Sequence, residues 1–411
     1  MDVTDQQSWN TDGRTALYGA FKTDAPAQYA RLRALGPVHP VELFAGLKGY
    51  LVVDHDTARK ALTHPALLKD PRYSTEALTA AGFILHQPGI GLGAQMLEAD
   101  PPTHTRLRRL VAGAFTPRRT EMLAPRIEQI ADELINALPA SGEADLVEAF
   151  TTPLPVTVIA ELLGVPQEDR ENFRKWSGLA LQVTSPHHRP ALAGLHALLR
   201  RLVEDKRRAP GDDLLSALVT ARDEDDGRLS EDELIGTAIL LVIAGHDTTV
   251  NLLGNAVLAL LRHPDQLRLL RANPALLHGA VEEFLRYDTS VERTSNRYAA
   301  EDLELGGVLI PRGSVVAVAL GSASHDIALP GNEDPAVLDV TRPGGRHMAF
   351  GHGIHHCLGA PLARLEARVA LGALLSRLPH LELTVPVESL VWIPSGMMRG
   401  VLSLPVRYST V

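Results

Sequence analysis

The single cysteine of the chain, Cys357, lies in the glycine-rich segment GGRHMAFGHGIHHCLG at residues 344–359. The apolar residues that follow it have helical spacing, which places the sulfur just before or at the N-terminus of a helix. Free N–H groups and the helix dipole favour a thiolate there. A lone thiolate that accepts backbone hydrogen bonds is a suitable axial ligand for haem iron, and Phe350 could shield it.

Two other interpretations of this segment remain open. A free cysteine is most often a small buried hydrophobic residue, although five glycines within these 16 residues argue against simple packing. The donors His352, His355, His356 and Cys357 could instead bind zinc. Ligands adjacent in sequence rarely all point at one ion, which disfavours zinc.

A second group of polar residues interrupts a long apolar helix, which the sequence predicts over about residues 230–261. Ser230 and Glu233 form a capping box at its start. Its interior contains the run Ala244-Gly245-His246-Asp247-Thr248-Thr249, whose polar residues are poor choices inside a helix. Either the threonines bond back to helix carbonyls and bend the helix, or the polar groups line a cavity, where a carboxylate beside a hydroxyl suits proton delivery.

Two pairs of residues have the spacing of neighbours on a helix face. Glu283 and Arg286 are three apart and can form an ion pair, which alone would most often be a surface bridge. His104 and Arg108 are four apart on a helix opened by Pro101-Pro102, so both present donors in one direction. Such a pair suits anionic groups.

The elements that must position these residues are mainly helices, with a minor sheet. Helices dominate the middle of the chain, which favours one helix-rich domain over residues 1–411. The segments Tyr73–Asp100 and Gln167–Pro190 have the weakest periodicity and are predicted as loops or short helices. The strand signals lie at Tyr50–Val53, Leu303–Leu305, Val308–Ile310 and Val315–Leu320, and from Leu381 onwards.

Composition limits the class of protein. A chain of 411 residues with 45% apolar and 22% charged residues should fold into a globular protein. Its net charge of -9 disfavours nucleic acid as a partner. The N-terminus lacks signal-peptide features, and the apolar run Leu234–Gly245 is too short to span a bilayer, so we expect a cytoplasmic protein without a membrane anchor.

Phe350, Gly353, His355, Cys357 and Gly359 together resemble the haem-binding signature of the cytochrome P450 superfamily, the haem-thiolate monooxygenases. The three other constellations match in the right order, so the resemblance extends from about residue 30 to the C-terminus. It implies the cytochrome P450 fold, mainly α with a minor β-sheet region, in a single large helix-rich domain. Within it, residues 344–359 would be the haem loop and about 230–261 the distal helix.

The resemblance also implies roles for individual residues. Cys357 would ligate the iron of haem b (iron protoporphyrin IX), with Asp247 and Thr248 as the acid–alcohol pair above its distal face. Arg342 would join Glu283 and Arg286 in a buried ionic triad that supports the haem loop. The other cofactor contacts would be His104, Arg108, Ala244, Gly245, Arg297, Phe350, Gly351, His355 and Gly359, with His104, Arg108, Arg297 and His355 on the propionates.

Substrate would meet the distal helix, the two weakly periodic segments, and the stretches Ser290–Thr294 and Ser395–Met398. The expected contact residues are Val291, Glu292, Arg293 and Met397. For Glu292 and Arg293, pairing with each other or exposure to solvent is an equal alternative.

The activity implied is insertion of one oxygen atom from O2 into a small apolar substrate, by hydroxylation or epoxidation. A macrolide, another polyketide or a steroid is the expected substrate. Electrons would come from a ferredoxin and a ferredoxin reductase, because no flavin or iron–sulfur domain fits in the chain, and Arg106, Arg109 and Arg346 could face the ferredoxin. We expect a monomer. A non-catalytic haem-thiolate sensor and a zinc enzyme are the alternatives.

Overall fold

The computed structural model describes residues 14–17, 20–43, 46–81, 93–114, 117–180, 185–221, 227–344 and 346–410. The chain forms two compact units. The first contains Met1–Leu85, Gly254–Cys357 and Val385–Leu404, and the second contains His86–Leu253, Leu358–Thr384 and Pro405–Val411. The single domain over residues 1–411 stays a prediction.

Helices make up most of the described residues, as predicted. The α-helices of this part of the chain are α1 (Ala20–Thr23), α2 (Ala25–Leu35), α3 (His55–Thr63), α4 (Thr75–Ala80), α5 (Thr103–Ala114), α6 (Pro117–Glu121), α7 (Ala124–Asn136), α8 (Pro153–Leu162), α9 (Arg170–Ala180), α10 (His188–Arg208), α11 (Leu214–Thr220), α12 (Glu231–Arg262), α13 (Pro264–Ala272), α14 (Leu277–Tyr287), α15 (Leu320–Ser324) and α16 (Ala360–Arg377).

The strands are short and come from distant parts of the chain. They are β1 (Thr15–Ala16), β2 (Val38–Glu42), β3 (Lys48–Val52), β4 (Leu67–Leu68), β5 (Ser141–Asp145), β6 (Arg297–Ala299), β7 (Leu303–Leu305), β8 (Val308–Ile310), β9 (Val315–Val318), β10 (Glu382–Leu383) and β11 (Pro405–Ser409). The predicted strands β7 and β8 pair as an antiparallel hairpin that turns at Gly306 and Gly307, which both have positive φ. The predicted strand Val315–Leu320 is shorter in the structure, because Leu320 begins α15.

A six-stranded sheet in the order β1-β2-β3-β9-β6-β4 organises the first unit. The parallel pair β3 and β9 lies at its centre, with Val52 opposite Val318. Gly49 is required there, because a Cβ at this position would lie 2.6 Å from the Val315 carbonyl oxygen. The buried faces of Val316 and Val318 pack in one apolar cluster with α3, which places the end of α3 near the cysteine loop.

The second unit is helical apart from the three-stranded sheet β10-β11-β5. Its core packs α12 residues such as Ile235 and Ile239 with α10 residues such as Leu195 and Leu199. The predicted capping box starts α12, with the Ser230 N–H 2.9 Å from the Glu233 carboxylate.

Helix α12 is long and apolar enough to cross a membrane by length and composition alone. In the most apolar 18-residue stretch of this helix, 61% of the residues are buried inside the protein. Burial in a protein core accounts for this composition.

The prediction of loops or short helices agrees with the described part of the first weakly periodic segment, whereas the second contains an 11-residue helix, α9. Tyr73–Asp100 includes α4 and a 3₁₀ turn at Met96–Glu98, and its residues 82–92 lie outside the described residues. Gln167–Pro190 includes a 3₁₀ turn, α9 and the start of α10, and its residues 181–184 lie outside the described residues.

Candidate active site

The cysteine loop of the first unit is a chain of tight backbone turns. The Cys357 N–H donates to the Phe350 carbonyl oxygen at 2.9 Å, and the Gly351 N–H donates to the Met348 carbonyl oxygen at 2.8 Å. Gly351 and Gly353 have φ values of 72° and 78°, which glycine adopts without strain. These turns fold the loop back on itself and leave the Cys357 side chain exposed.

Close packing against α3 explains one of these glycines. A Cβ on Gly353 would lie 3.0 Å from the Leu62 carbonyl oxygen and 3.0 Å from the Thr63 methyl group. Only the smallest residue allows this approach. Cys357 itself lies three residues before Ala360, the first residue of α16, as the sequence predicts.

Buried hydrogen bonds hold the start of the cysteine loop. The Ser324 hydroxyl accepts the Met348 N–H at 2.9 Å, and the His347 ring lies 3.1 Å from the Glu282 carboxylate. The Phe350 ring stacks at a tilt between His347 and His356, with centroids 6.0 and 6.4 Å away. These contacts fix the backbone at Phe350, whose carbonyl oxygen accepts the Cys357 N–H.

Glu283, Arg286 and Arg342 come together in the first unit as an ionic triad, in which Glu283 and Arg286 are buried and Arg342 is half-buried. The Arg342 Nε lies 3.2 Å from the Glu283 carboxylate, which also pairs with Arg286. The Glu283 and Arg286 side chains are 2% and 3% exposed. Arg286 also donates to the Pro335 carbonyl oxygen at 2.8 Å and to Asn332 Oδ1 at 3.2 Å. The alternative of a surface bridge is therefore excluded for this pair.

Arg297 and His355 also belong to the first unit. Arg297 is buried on β6 and donates to the Leu67 carbonyl oxygen at 3.3 Å. His355 is half-buried at the end of the 3₁₀ turn Gly353–His355.

In the second unit, His104 and Arg108 lie on α5, as predicted. His104 is 2% exposed. Burial, with the positive charge of Arg108, lowers the pKa of His104, so its imidazole is neutral near pH 7 and can donate one hydrogen bond. Arg106 on the same helix makes an ion pair with Glu233.

The polar turn of α12 bonds back to its own helix. The Thr248 hydroxyl donates to the Ala244 carbonyl oxygen at 2.7 Å, and the Thr249 hydroxyl lies 3.4 Å from the Gly245 carbonyl oxygen. The helix nevertheless runs unbroken from Glu231 to Arg262. Back-bonding by the threonines, one of the two alternatives from the sequence, is therefore present without a break in the helix.

The charges of this turn are set by burial. Burial raises the pKa of the Asp247 carboxyl and lowers the pKa of the His246 imidazole. Asp247 can therefore hold a proton at a higher pH than an ordinary aspartate can. Ala244 is exposed, and Gly245 packs tightly, because a Cβ there would lie 3.2 Å from the Ile159 side chain of α8.

Glu292 and Arg293 lie in the interior of the first unit, each 1% exposed. The Glu292 carboxylate accepts hydrogen bonds from Lys22 Nζ and from the Tyr29 hydroxyl, both at 2.5 Å. Arg293 lies 4.0 Å from Glu292 and donates to the Leu17 carbonyl oxygen at 2.9 Å. These contacts favour the alternative in which the two side chains pair internally and place neither in open solvent.

The flanking residues differ from this pair. Val291 is half-buried and Met397 is 37% exposed, so both keep apolar surface available to a ligand.

The chain matches a known protein family over most of its length. The family model for cytochrome P450 matches residues 172–275 and 270–408, which is more than half of the chain and includes the cysteine loop and the Glu283–Arg286 pair. The chain belongs to the cytochrome P450 family. It is therefore a monooxygenase, an oxidoreductase that incorporates one oxygen atom from O2.

Three relatives illustrate the similarity of this cytochrome P450 to known proteins. It is 49% identical to cytochrome P450 monooxygenase PikC of Streptomyces venezuelae, over 96% of this chain and 93% of the relative. It is 44% identical to 6-deoxyerythronolide B hydroxylase of Saccharopolyspora erythraea, over 94% of this chain and 97% of the relative. The structure of tirandamycin C-bound P450 monooxygenase TamI has 45% identity and a TM-score of 0.86, covering 95% of this chain and 99% of that one. The predicted fold is confirmed.

The donor set of this cytochrome P450 fits haem iron and not zinc. Among the described residues, no group of three or more His, Cys, Asp or Glu side chains could hold a metal ion, so His352, His355, His356 and Cys357 do not form a zinc site. A single exposed thiol at the end of an ordered glycine-rich turn leaves one protein ligand for a metal, as a haem-thiolate centre requires. The hydroxylase relatives disfavour the non-catalytic sensor.

Sequence reasoning missed several buried ionisable groups of this cytochrome P450. Lys22, Tyr29 and Arg399 surround Glu292, but each lies far from it in sequence and no local spacing reveals the contact. Glu366 on α16 could have been found, because Leu362 and Ala370, four residues before and after it, are buried apolar residues on the same helix face.

Proposed function

We propose that this cytochrome P450 hydroxylates or epoxidises a macrolide or a related polyketide. The observation that carries the chemistry is the exposed Cys357 thiol at the end of the cysteine loop, whose backbone is fixed by hydrogen bonds. The substrate class is supported by relatives that cover nearly the whole chain, among them the 6-deoxyerythronolide B hydroxylase.

Cys357 would ligate haem b, which supplies the redox-active iron that binds and activates O2. The N–H of Cys357 donates to the Phe350 carbonyl oxygen, which fixes the backbone that carries the sulfur. Neutral His104 would donate a hydrogen bond to a propionate, and Arg108 and Arg297 would supply full positive charges to the propionates. The other haem contacts would be Ala244, Gly245, Phe350, Gly351, His355 and Gly359.

Asp247 and Thr248 would manage protons in the distal helix. Because burial raises the pKa of Asp247, its carboxyl can take up and release a proton at a higher pH than an ordinary aspartate can. The Thr248 hydroxyl donates its hydrogen bond to the Ala244 carbonyl oxygen. The Thr248 oxygen can therefore still accept a hydrogen bond from a water or a ligand. Rotation about χ1 would let it donate instead.

Val291 and Met397 would contact the substrate. The buried Glu292 and Arg293 would support them from the protein interior. The half-buried Val291 and the exposed Met397 offer apolar surface of the kind a macrolactone ring needs.

A ferredoxin and a ferredoxin reductase would supply the electrons to a cytoplasmic monomer. Arg109 and Arg346 are exposed and could meet an acidic ferredoxin surface. Arg106, which makes an ion pair with Glu233, could also meet that surface.

Reconstitution with a ferredoxin, its reductase, NADPH and ¹⁸O₂ tests this function. We expect 6-deoxyerythronolide B, as a macrolactone probe, to gain one labelled oxygen atom. Progesterone serves as the steroid probe. Oxygenation of progesterone without any oxygenation of the macrolactone would replace the polyketide proposal with a steroid one.

A further inference from the structure

A buried network in the first unit joins the helices α1 and α2 to two stretches proposed to contact substrate. The first stretch is Ser290–Thr294 and the second is Ser395–Met398. At its centre is the Glu292 carboxylate, which receives Lys22 from α1 on one oxygen and Tyr29 from α2 on the other. The Lys22 and Glu292 side chains are 6% and 2% exposed. Charged groups removed from water in this way hold their partners firmly, because a broken contact leaves a charge buried and unpaired.

The two substrate-facing stretches are joined to each other. Val291 and Met398 form an antiparallel bridge. The Arg293 N–H donates to the Met397 carbonyl oxygen at 3.2 Å, and the Arg399 N–H donates to the Ser290 carbonyl oxygen at 2.8 Å. A shift of one stretch must therefore carry the other with it.

Lys22 bonds to both stretches at once. Its Nζ donates to Glu292 in the first stretch and to the Met398 carbonyl oxygen, at 3.0 Å, in the second. Its own carbonyl oxygen accepts from Arg399 Nη1 at 3.0 Å. Arg399 is in turn fixed by Asp288, 2.6 Å from its Nε. Lys22 thus connects helix α1 to both stretches.

We infer that Lys22 and Tyr29 are positioning residues of the substrate site, which set the placement of Val291 and Met397 through Glu292. Each of the two apolar residues is next in sequence to a residue that the network holds. This inference rests on the proposed function, because it takes those two side chains as substrate contacts. It extends the site to helices α1 and α2, more than 250 residues away in sequence.

The charge states of the network agree with such a role. Burial lowers the pKa of Lys22 to about 8, against the pull of Glu292, so the ammonium form is still the major one at neutral pH. Burial opposes ionisation of Glu292, but the charges of Arg293 and Lys22 lower its pKa overall. Both members of the pair are therefore charged near pH 7.

Two azoles of different size test the inference. Imidazole reports on the haem iron alone, whereas clotrimazole also fills the substrate space, and both are titrated by the shift of the Soret band. Lys22→Met and Glu292→Gln should lower the affinity for clotrimazole by about fivefold or more, and Tyr29→Phe should lower it by about two- to threefold. In all three variants the affinity for imidazole should stay within about twofold of wild type. The matched control is Arg33→Met, which removes a cation of α2 whose partner is Ser322, outside both stretches, and should change neither affinity.

The double variant Lys22→Met/Glu292→Gln gives a further readout. Because both changes break the Lys22–Glu292 contact, the double variant should lose less clotrimazole affinity than the product of the two single losses. Should Lys22→Met fail to fold, Tyr29→Phe decides, since it keeps the ring contact with Phe21, 5.0 Å between centroids.

The contrary results are separable. Unchanged clotrimazole affinity in all three single variants, or an equal loss of imidazole affinity, overturns the inference while the proposed function stands. Val291→Ala and Met397→Ala that leave clotrimazole binding unchanged overturn the substrate site and the inference together. A wild-type protein without the thiolate spectrum with carbon monoxide overturns the proposed function itself.

Discussion

The Arg286 guanidinium makes two parallel hydrogen bonds to the Glu283 carboxylate, 2.7 Å from Nε and 2.8 Å from Nη2. Two-point contact of this kind fixes both distance and orientation. The carboxylate also accepts the Asp339 N–H at 2.9 Å, so the pair ties α14 to the segment that leads into the cysteine loop.

Arg286→Ala should destabilise the protein by roughly 3–5 kcal/mol, because it leaves the Glu283 charge buried without its main partner. Haem content and the free energy of unfolding in urea measure the effect. The matched control is Arg208→Ala, which breaks an exposed pair with Asp205 at the same spacing and should cost less than about 0.5 kcal/mol. Equal stability of the two variants would show that the buried pair contributes no more than a surface bridge.

Thr248→Ala should leave haem content and ligand affinity nearly intact but lower the product formed per NADPH consumed. The physical reason is the loss of the only hydroxyl at that position, so that more of the reduced oxygen leaves as peroxide. Thr249→Ala is the control, because Thr249 is buried and lies one residue further along the helix. If Thr248→Ala forms as much product per NADPH as the wild type, the Thr248 hydroxyl has only a structural role, as a donor to the Ala244 carbonyl oxygen.

Asp247→Asn should slow turnover, because an amide has the size of the acid but cannot carry its proton. Burial raises the pKa of Asp247, so proton exchange by this group extends closer to neutral pH than for an ordinary aspartate. The rate of the variant should therefore lose the wild-type pH dependence on the acid side. A variant with an unchanged rate and pH profile would assign proton delivery to another group.

Glu366→Gln should change how stability depends on pH. Burial raises the pKa of Glu366 from 4.5 to about 8, so between these values the folded state binds more protons than the unfolded state. The free energy of unfolding of the wild type should then fall by about 3 kcal/mol from pH 5 to pH 8 relative to Glu366→Gln. Denaturation at both pH values measures this, with the exposed Glu382→Gln as control. Parallel pH curves for wild type and Glu366→Gln would contradict the assignment.

Local spacing was enough to predict the ionic pair, the capping box and the long helix, because their partners lie within four residues. The buried surroundings of Glu292 could not be predicted in this way. Its partner Lys22 is 270 residues away, and only the tertiary fold brings the two together. The ion pair between Arg106 and Glu233 was missed for the same reason.

The cysteine loop shows what residue types do and do not determine. Its glycines argued against simple packing of the cysteine, and Gly351 and Gly353 adopt positive φ values in the tight turns of the loop. The need for glycine at 353 in particular depends on the neighbouring Leu62 carbonyl oxygen, which no pattern within the loop reveals.

The absorption spectrum of the reduced protein with carbon monoxide tests the central assignment, Cys357 as the ligand of haem iron. We predict that the wild type shows the red-shifted Soret band of thiolate-ligated ferrous haem and that Cys357→Ser, which removes the only sulfhydryl of the chain, loses it or loses haem altogether. A Cys357→Ser variant that retains haem and the wild-type band, or a wild type that never shows that band, would contradict the account.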